Sequence, residues 1–269
     1  MVGLPSAPAP SPFTSQGEQF KLVDDWMKVE DFALLQAWLQ QHPFTPVRSE
    51  LDGLCVAQRD DTAFAGSYRR ETRNWDLASP PPFRGTGFFA ERERLDPRYR
   101  NTSSHPKGSS GRAAHRNYPT GTPVDLFFDA LARLLDDPWF ATPWSRVGAL
   151  PYVYPRGTRL KWHTDSSDES TAAFDETTIS YVFFWNDEWR STYGGELLIS
   201  HQPWLSRLGG SWSARPETEA LRKTGGQGVF LAPFPNRLIV LRGVYPHSTT
   251  LIHPSAGEWS RCSIAGFFR

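Results

Sequence analysis

From position 150 onward the sequence breaks into short segments rich in β-branched and aromatic residues, and this constrains the fold more than any other feature. The candidates are Tyr152–Tyr154, Arg159–Trp162, Thr177–Trp185, Glu196–Ser200, Val229–Leu231, Arg237–Arg242 and Arg261–Phe268. Clusters of Gly, Pro, Asn or Asp separate them, and turn chemistry of that kind punctuates strands rather than helices. Many short strands with frequent turns close into a sandwich or a barrel. No internal repeat suggests an array.

The remainder reads as support for that β unit. Phe20–Val23 is a short strand candidate. Asp25 or Glu30 then caps a helix whose apolar residues Phe32, Leu35, Trp38 and Leu39 recur at three and four, ending at Gln41 before Pro43. Pro123–Leu135 predicts the best helix, with proline at its start and Leu126, Phe127, Ala130, Leu131, Leu134 and Leu135 along one face. Residues 1–17 are rich in Pro, Ala and Ser and predict a disordered tail. Residues 72–122 predict mostly irregular chain, with the Ser-, Gly-, Arg- and His-rich stretch 99–122 as a lid. A second insert spans 208–228. Together these give a single domain over 18–269, with its β core at about 150–269 and supporting elements and lid loops at 18–149.

Composition excludes several functions. Lys plus Arg and Asp plus Glu each number 29, giving a formal net charge of zero. A nucleic-acid binder needs a basic excess or stripe, and an electrostatic membrane anchor needs the same. No apolar run approaches the ~20 residues of a membrane span. The N-terminus lacks the basic and apolar regions of a signal peptide. The two cysteines, Cys55 and Cys262, form no CxxC. A cysteine zinc site is therefore excluded, a single disulfide stays open, and a reducing cytoplasm is the simpler compartment.

Of the seven histidines, His163 stands out because Asp165 follows two positions later. In extended chain, residues i and i+2 face the same way. His247 follows a strand candidate. Two histidines and a carboxylate make the facial triad of non-haem Fe(II), which leaves coordination positions open. An HxD in a solvated loop is the competing reading of the same residues. His42, His105, His115, His201 and His253 lie at element ends or in loops, where solvated histidines are common.

The surrounding segments resemble the Fe(II)/2-oxoglutarate-dependent oxygenases, in particular their prolyl-hydroxylase-like (prolyl 4-hydroxylase-type) group. The likeness is carried by Tyr154-Pro155-Arg156-Gly157-Thr158 before Trp162-His163-Thr164-Asp165. It continues through Thr178–Asn186 with Trp189 and Gly194-Gly195-Glu196-Leu197, then Pro235–Val240 followed by Pro246-His247, and ends in Arg261–Phe268. It is good over 150–269, modest over 20–40 and absent over 50–145. The resemblance implies a mainly β fold with flanking helices, a double-stranded β-helix or jelly roll. It implies His163, Asp165 and His247 as Fe(II) ligands. Arg261 would grip the distal carboxylate of 2-oxoglutarate with its planar fork. Tyr154 would donate to the cosubstrate, and Tyr152 shares its face. Where the relatives carry a second cosubstrate tyrosine, this chain has Phe183. Asn186 and Trp189 are expected to build the turn into Gly194-Gly195. Arg242 faces either the pocket or the surface.

The implied reaction couples 2-oxoglutarate and O2 to hydroxylation of an unactivated C–H, with ascorbate as an accessory reductant. Asp165 distinguishes the chain from related halogenases, which carry Gly or Ala there. The expected substrate is a small molecule, an amino acid free or carrier-tethered; a prolyl residue of a protein or peptide is the alternative. A cupin-like binding protein without turnover and a zinc hydrolase are the readings from other classes.

Overall fold

The computed structural model describes residues 15–42, 44–46, 68–69, 74–75, 83–85, 88–95, 120–141, 144–160, 162–165, 178–203, 222 and 225–268. The strands in chain order are β1 (Ser15–Gln16), β2 (Phe20–Val23), β3 (Phe44–Pro46), β4 (Tyr68–Arg69), β5 (Asn74–Trp75), β6 (Phe83–Gly85) and β7 (Phe88–Glu91). They continue as β8 (Arg146–Tyr154), β9 (Ile179–Phe184), β10 (Leu197–Ser200), β11 (Gly228–Leu231), β12 (Leu238–Arg242), β13 (His247–Thr249) and β14 (Arg261–Phe268). The helices are α1 (Val29–Gln40), α2 (Arg92–Leu95) and α3 (Pro123–Ala132).

Strand alternation sorts the side chains into two layers. On β8, Val147, Ala149 and Val153 face the helices, while Leu150, Tyr152 and Tyr154 face the opposite side. The major sheet runs β1-β2-β12-β9-β14-β8-β6-β3, with β7 also paired to β8. A three-stranded sheet, β11-β10-β13, lies across it. Phe20, Leu22, Phe184, Leu197, Ile199, Ile239 and Leu241 fill the space between the sheets. The helices cover the outer face of the major sheet through Leu35, Leu39, Phe127 and Leu131. Trp26 anchors that layer, edge-on to Phe127 at 5.4 Å and to Phe183 at 5.0 Å. Each fully buried phenylalanine here contributes roughly 1.5–3 kcal/mol of transfer free energy. The architecture is mainly β with flanking helices, a double-stranded β-helix, as the family resemblance implies.

One contact shows why small residues recur. A Cβ on Gly266 would fall 1.8 Å from the Gly148 carbonyl oxygen. That carbonyl accepts the Tyr181 hydroxyl at 2.7 Å, so β14, β8 and β9 close on one another where only glycine fits.

Several elements differ from expectation. β8 starts at Arg146 and passes through Pro151, which reads locally as a strand breaker but sits opposite Ile264 in register. β13 is polar and short and gives no hydrophobic signal. β7 and β6 bring part of the region expected to be irregular into the major sheet. α1 is preceded by Lys28, so neither Asp25 nor Glu30 caps it; Glu30 and Asp31 lie in its first turn, where they favour the helix dipole. α3 ends at Ala132, and Val124 and Phe128 are buried along with Phe127 and Leu131. Residues 15–16 of the expected tail pair with β2. Residues 1–14, most of the 99–122 lid with His105 and His115, most of the 208–228 insert, and Cys55 lie outside the described residues. No helix among the described residues is long and apolar enough to cross a membrane.

Candidate metal centre

The turn after β8 uses Gly157 at φ 80°, where its amide donates to the Ile252 carbonyl at 2.8 Å. The chain then returns alongside β13. The expected strand Arg159–Trp162 is an irregular extension held by a few bonds: Thr249 N donates to Leu160 O, and Leu160 N donates to Thr249 Oγ1. His163 and His247 exchange backbone hydrogen bonds, each 2.9 Å. Residues directly opposed in an antiparallel pair put their side chains on one face. The two imidazoles therefore meet, with centroids 4.2 Å apart. Asp165 N donates to Gly243 O at 2.9 Å, which fixes the carboxylate beside them.

The result is a compact donor cluster. His163 Nε2 lies 3.7 Å from Asp165 Oδ1, and His247 Nε2 lies 3.3 Å from Asp165 Oδ2. One ligand atom from each residue lies within 4.8 Å of the others. The side chains are 11%, 8% and 6% exposed for His163, Asp165 and His247. His247 Nδ1 sits 3.1 Å from the Tyr245 carbonyl. A carbonyl only accepts, so Nδ1 carries the proton and Nε2 keeps its lone pair for a metal. Two imidazoles and one carboxylate suit a divalent transition metal such as iron.

Arg261 lies deeper in the barrel. It pairs in register with Tyr154, at the level of Gly195, four residues or about 13 Å of strand from Ile199, which pairs with His247. It is 1% exposed. The rings of Tyr154 and Phe184 lie 5.2 and 5.1 Å from its guanidinium carbon. Gly195 leaves room for its stem: at φ 79°, a Cβ there would come within 3.2 Å of Arg261 Cδ. Arg261 Nε and Nη1 are buried without a hydrogen-bond partner among the described residues. Burial pulls the guanidinium pKa down to about 10, with Tyr154 acting in the opposite direction. Burial likewise pushes the Tyr154 phenol above its ordinary value. A buried cation with unused donors is under-satisfied, and a carboxylate ligand would complete it. Tyr152 stacks on Tyr154 at 5.5 Å, and both belong to an apolar cluster with Tyr193 and Ile252.

The structure corrects one assignment. Phe183 packs into the helix-facing core against Trp26, Phe32 and Phe127, away from the barrel interior. Phe184, one residue later and so on the opposite face, is the aromatic beside Arg261. Arg242 is exposed and stacks on Trp139 at 4.9 Å, outside the barrel. Trp189 Nε1 donates to Gly194 O, and Asn186 Nδ2 donates to Glu188 O and Pro233 O, so both build the expected turn. The remaining described histidines have structural neighbours: His42 stacks on Trp38, His201 bonds Gln19, and the His253 ring accepts the Ser255 amide. Sequence reasoning missed Tyr245, Gly195 and Phe184. The spacing Tyr245–His247 was visible, but a carbonyl contact leaves no trace in residue type.

Comparison with known proteins bears on the family and the fold. Residues 149–269 match the family model of the 2OG-Fe(II) oxygenase superfamily. No curated protein matches the chain. Among solved structures, the chain is similar to EctD from S. alaskensis with bound Fe, at 15% identity and a TM-score of 0.50, covering 96% of this chain and 81% of that one. It is also similar to a Pseudomonas putida prolyl-4-hydroxylase, at 14% identity and a TM-score of 0.49, covering 93% and 92%. At such identity the EctD likeness bears on the fold alone.

Proposed function

We propose that this chain, a 2OG-Fe(II) oxygenase through its domain at residues 149–269, hydroxylates an unactivated C–H of a small molecule, an amino acid free or carrier-tethered. In this reading His163, Asp165 and His247 hold Fe(II), and Arg261, Tyr154 and Tyr152 hold 2-oxoglutarate. Bound Fe(II) and 2-oxoglutarate supply the oxidising chemistry, consuming O2 and releasing succinate and CO2.

The observation that carries the proposal is the pairing of a His-Asp-His cluster with a buried arginine that has unused donors. The cluster supplies two imidazoles and a hard carboxylate. Arg261 supplies a preorganised fork for the distal carboxylate of the cosubstrate, and the Tyr154 and Phe184 rings fix its plane. The Tyr245 carbonyl holds the His247 ring in the tautomer that leaves Nε2 available. Tyr152, Tyr193, Ile252 and Trp259 line that end of the barrel with apolar surface, which keeps water from the cosubstrate.

Anaerobic addition of Fe(II) and 2-oxoglutarate is expected to produce a weak visible charge-transfer band. Its absence from the wild-type protein, or its persistence in His163→Ala, would refute the assignment. Zinc hydrolysis without O2 would point instead to a hydrolase, and binding without 2-oxoglutarate turnover to a cupin-like receptor. A succinate-release screen over free amino acids, carrier-bound amino acids and prolyl peptides then tests the substrate class.

A further inference from the structure

A cleft of about 590 Å³, lined by Gly17, Glu18, Lys21, Trp139, Arg242 and Tyr245, opens on the rim of the major sheet. That volume is in the range of small-molecule sites. Lys21 and Arg242 lie on the helix-facing side of β2 and β12, because their neighbours Phe20, Leu22 and Leu241 point into the barrel. The cleft is thus distinct from the cavity that contains Arg261.

Its charges can be assigned one by one. Lys21 is matched by Asp137, which contacts Nζ at 2.6 Å through both oxygens. Arg242 touches the Trp139 ring but has no carboxylate partner among the described residues. The Glu18 carboxylate has no cationic partner among them, and the hydroxyl of the buried Tyr245 makes no hydrogen bond to a described residue. One open cation, one open anion, one hydroxyl and a flat indole therefore share a single cleft. Arg242 binds carboxylates as a fork, and the indole offers apolar surface to a side chain.

The cleft also borders the metal centre through one short turn. Arg242 ends β12, and Gly243 and Tyr245 belong to the β12–β13 connection. In it, Gly243 O holds the Asp165 amide and Tyr245 O holds the His247 ring. An occupant against Arg242 and Tyr245 would sit on the outer wall of the segment that fixes two of the three candidate ligands.

We propose that this cleft binds the zwitterionic head of a free α-amino acid, its carboxylate on Arg242 and the Tyr245 hydroxyl and its ammonium on Glu18, with its side chain along Trp139. This site lies on the outer wall of the barrel, apart from the cavity that contains Arg261, so its amino acid is an effector of the metal centre and not the molecule oxidised there.

The test uses the full chain labelled with 5-fluorotryptophan, the Trp139 signal being assigned in the 19F spectrum by its loss in Trp139→Phe. The probes are the proteinogenic L-amino acids, their carboxamides and inorganic phosphate. Some free amino acids are expected to shift the Trp139 line, with carboxamides binding about 10- to 100-fold more weakly, the loss expected for one charge-assisted hydrogen-bonded group. Arg242→Leu should abolish the response, Arg242→Lys should restore part of it, and Glu18→Gln should weaken it. Equal binding of carboxamides, an equal response to phosphate alone, or no response to any amino acid overturns the proposal. The Fe(II)/2-oxoglutarate band reports the oxygenase reading separately. It should persist in Arg242→Leu, and its loss there would place Arg242 in the metal centre and overturn the cleft assignment.

Discussion

Replacing Arg261 by methionine should separate binding from folding, because the two effects have opposite signs. The guanidinium is buried with two unpartnered N–H groups, and its pKa falls from 12.5 to about 10. At about 1.4 kcal/mol per pH unit, that difference is a burial penalty of about 3 kcal/mol, present at every pH below about 10 and fading only above it. The contacts with the Tyr154 and Phe184 rings offset roughly 1–3 kcal/mol of it. Methionine keeps the stem packed against Gly195 and removes the charge. The ligand-free variant should therefore be as stable as wild type or more stable by up to about 2 kcal/mol, a rise in Tm of roughly 0–8 °C for a chain of this size.

Cosubstrate binding should move the other way. Loss of two charge-assisted hydrogen bonds at about 1.5–3 kcal/mol each weakens 2-oxoglutarate binding by roughly two to four orders of magnitude. Differential scanning fluorimetry with and without 2-oxoglutarate reads both effects: a higher or equal baseline Tm, and no ligand-induced rise. A variant that loses more than about 2 kcal/mol of stability yet keeps its 2-oxoglutarate response would refute the reasoning and make Arg261 structural.

Three other outcomes follow from single contacts. Gly195→Ala places a Cβ against Arg261 Cδ and Ile252 at positive φ, so the 2-oxoglutarate KM should rise about tenfold with a stability loss of about 1–3 kcal/mol, checked by steady-state kinetics and urea unfolding. Gly266→Ala drives a Cβ into the Gly148 carbonyl and should leave too little folded protein to purify, and a soluble variant with wild-type Tm would contradict the register. Burial pushes the Cys262 thiol up to about 12, so at pH 8 it is protonated and iodoacetamide should label it only after unfolding, as read by peptide mass spectrometry.

Local signals nominated part of the centre, and the family resemblance supplied the rest. HxD sits in extended chain, where period two puts His163 and Asp165 together, and Arg261 stands in an alternating apolar strand where an unpaired cation needs a partner. A sandwich or barrel could be read for the same reason, since turn residues and short apolar runs punctuate 150–269 at strand spacing, while the double-stranded β-helix followed from the family resemblance. β13 was not legible, since His-Ser-Thr carries no hydrophobic pattern and exists as a strand only because β10 pairs with it. The same holds for β8, whose Pro151 looks like a breaker until Ile264 lies opposite it.

The sequence by itself determined which residue types could form the site: two imidazoles, a carboxylate, a guanidinium and the aromatics around them. Only the tertiary structure decided which of two adjacent phenylalanines meets Arg261. Strand period alternates their faces, and the pairing of β14 with β9 sets which face is the interior. It also decided that Arg261 is sunk with unused donors while Arg242 stands outside on Trp139, because burial belongs to the closed barrel and not to any stretch of chain. Local spacing can nominate a ligand, but whether a charge is exposed or orphaned depends on what the sheets bring up against it.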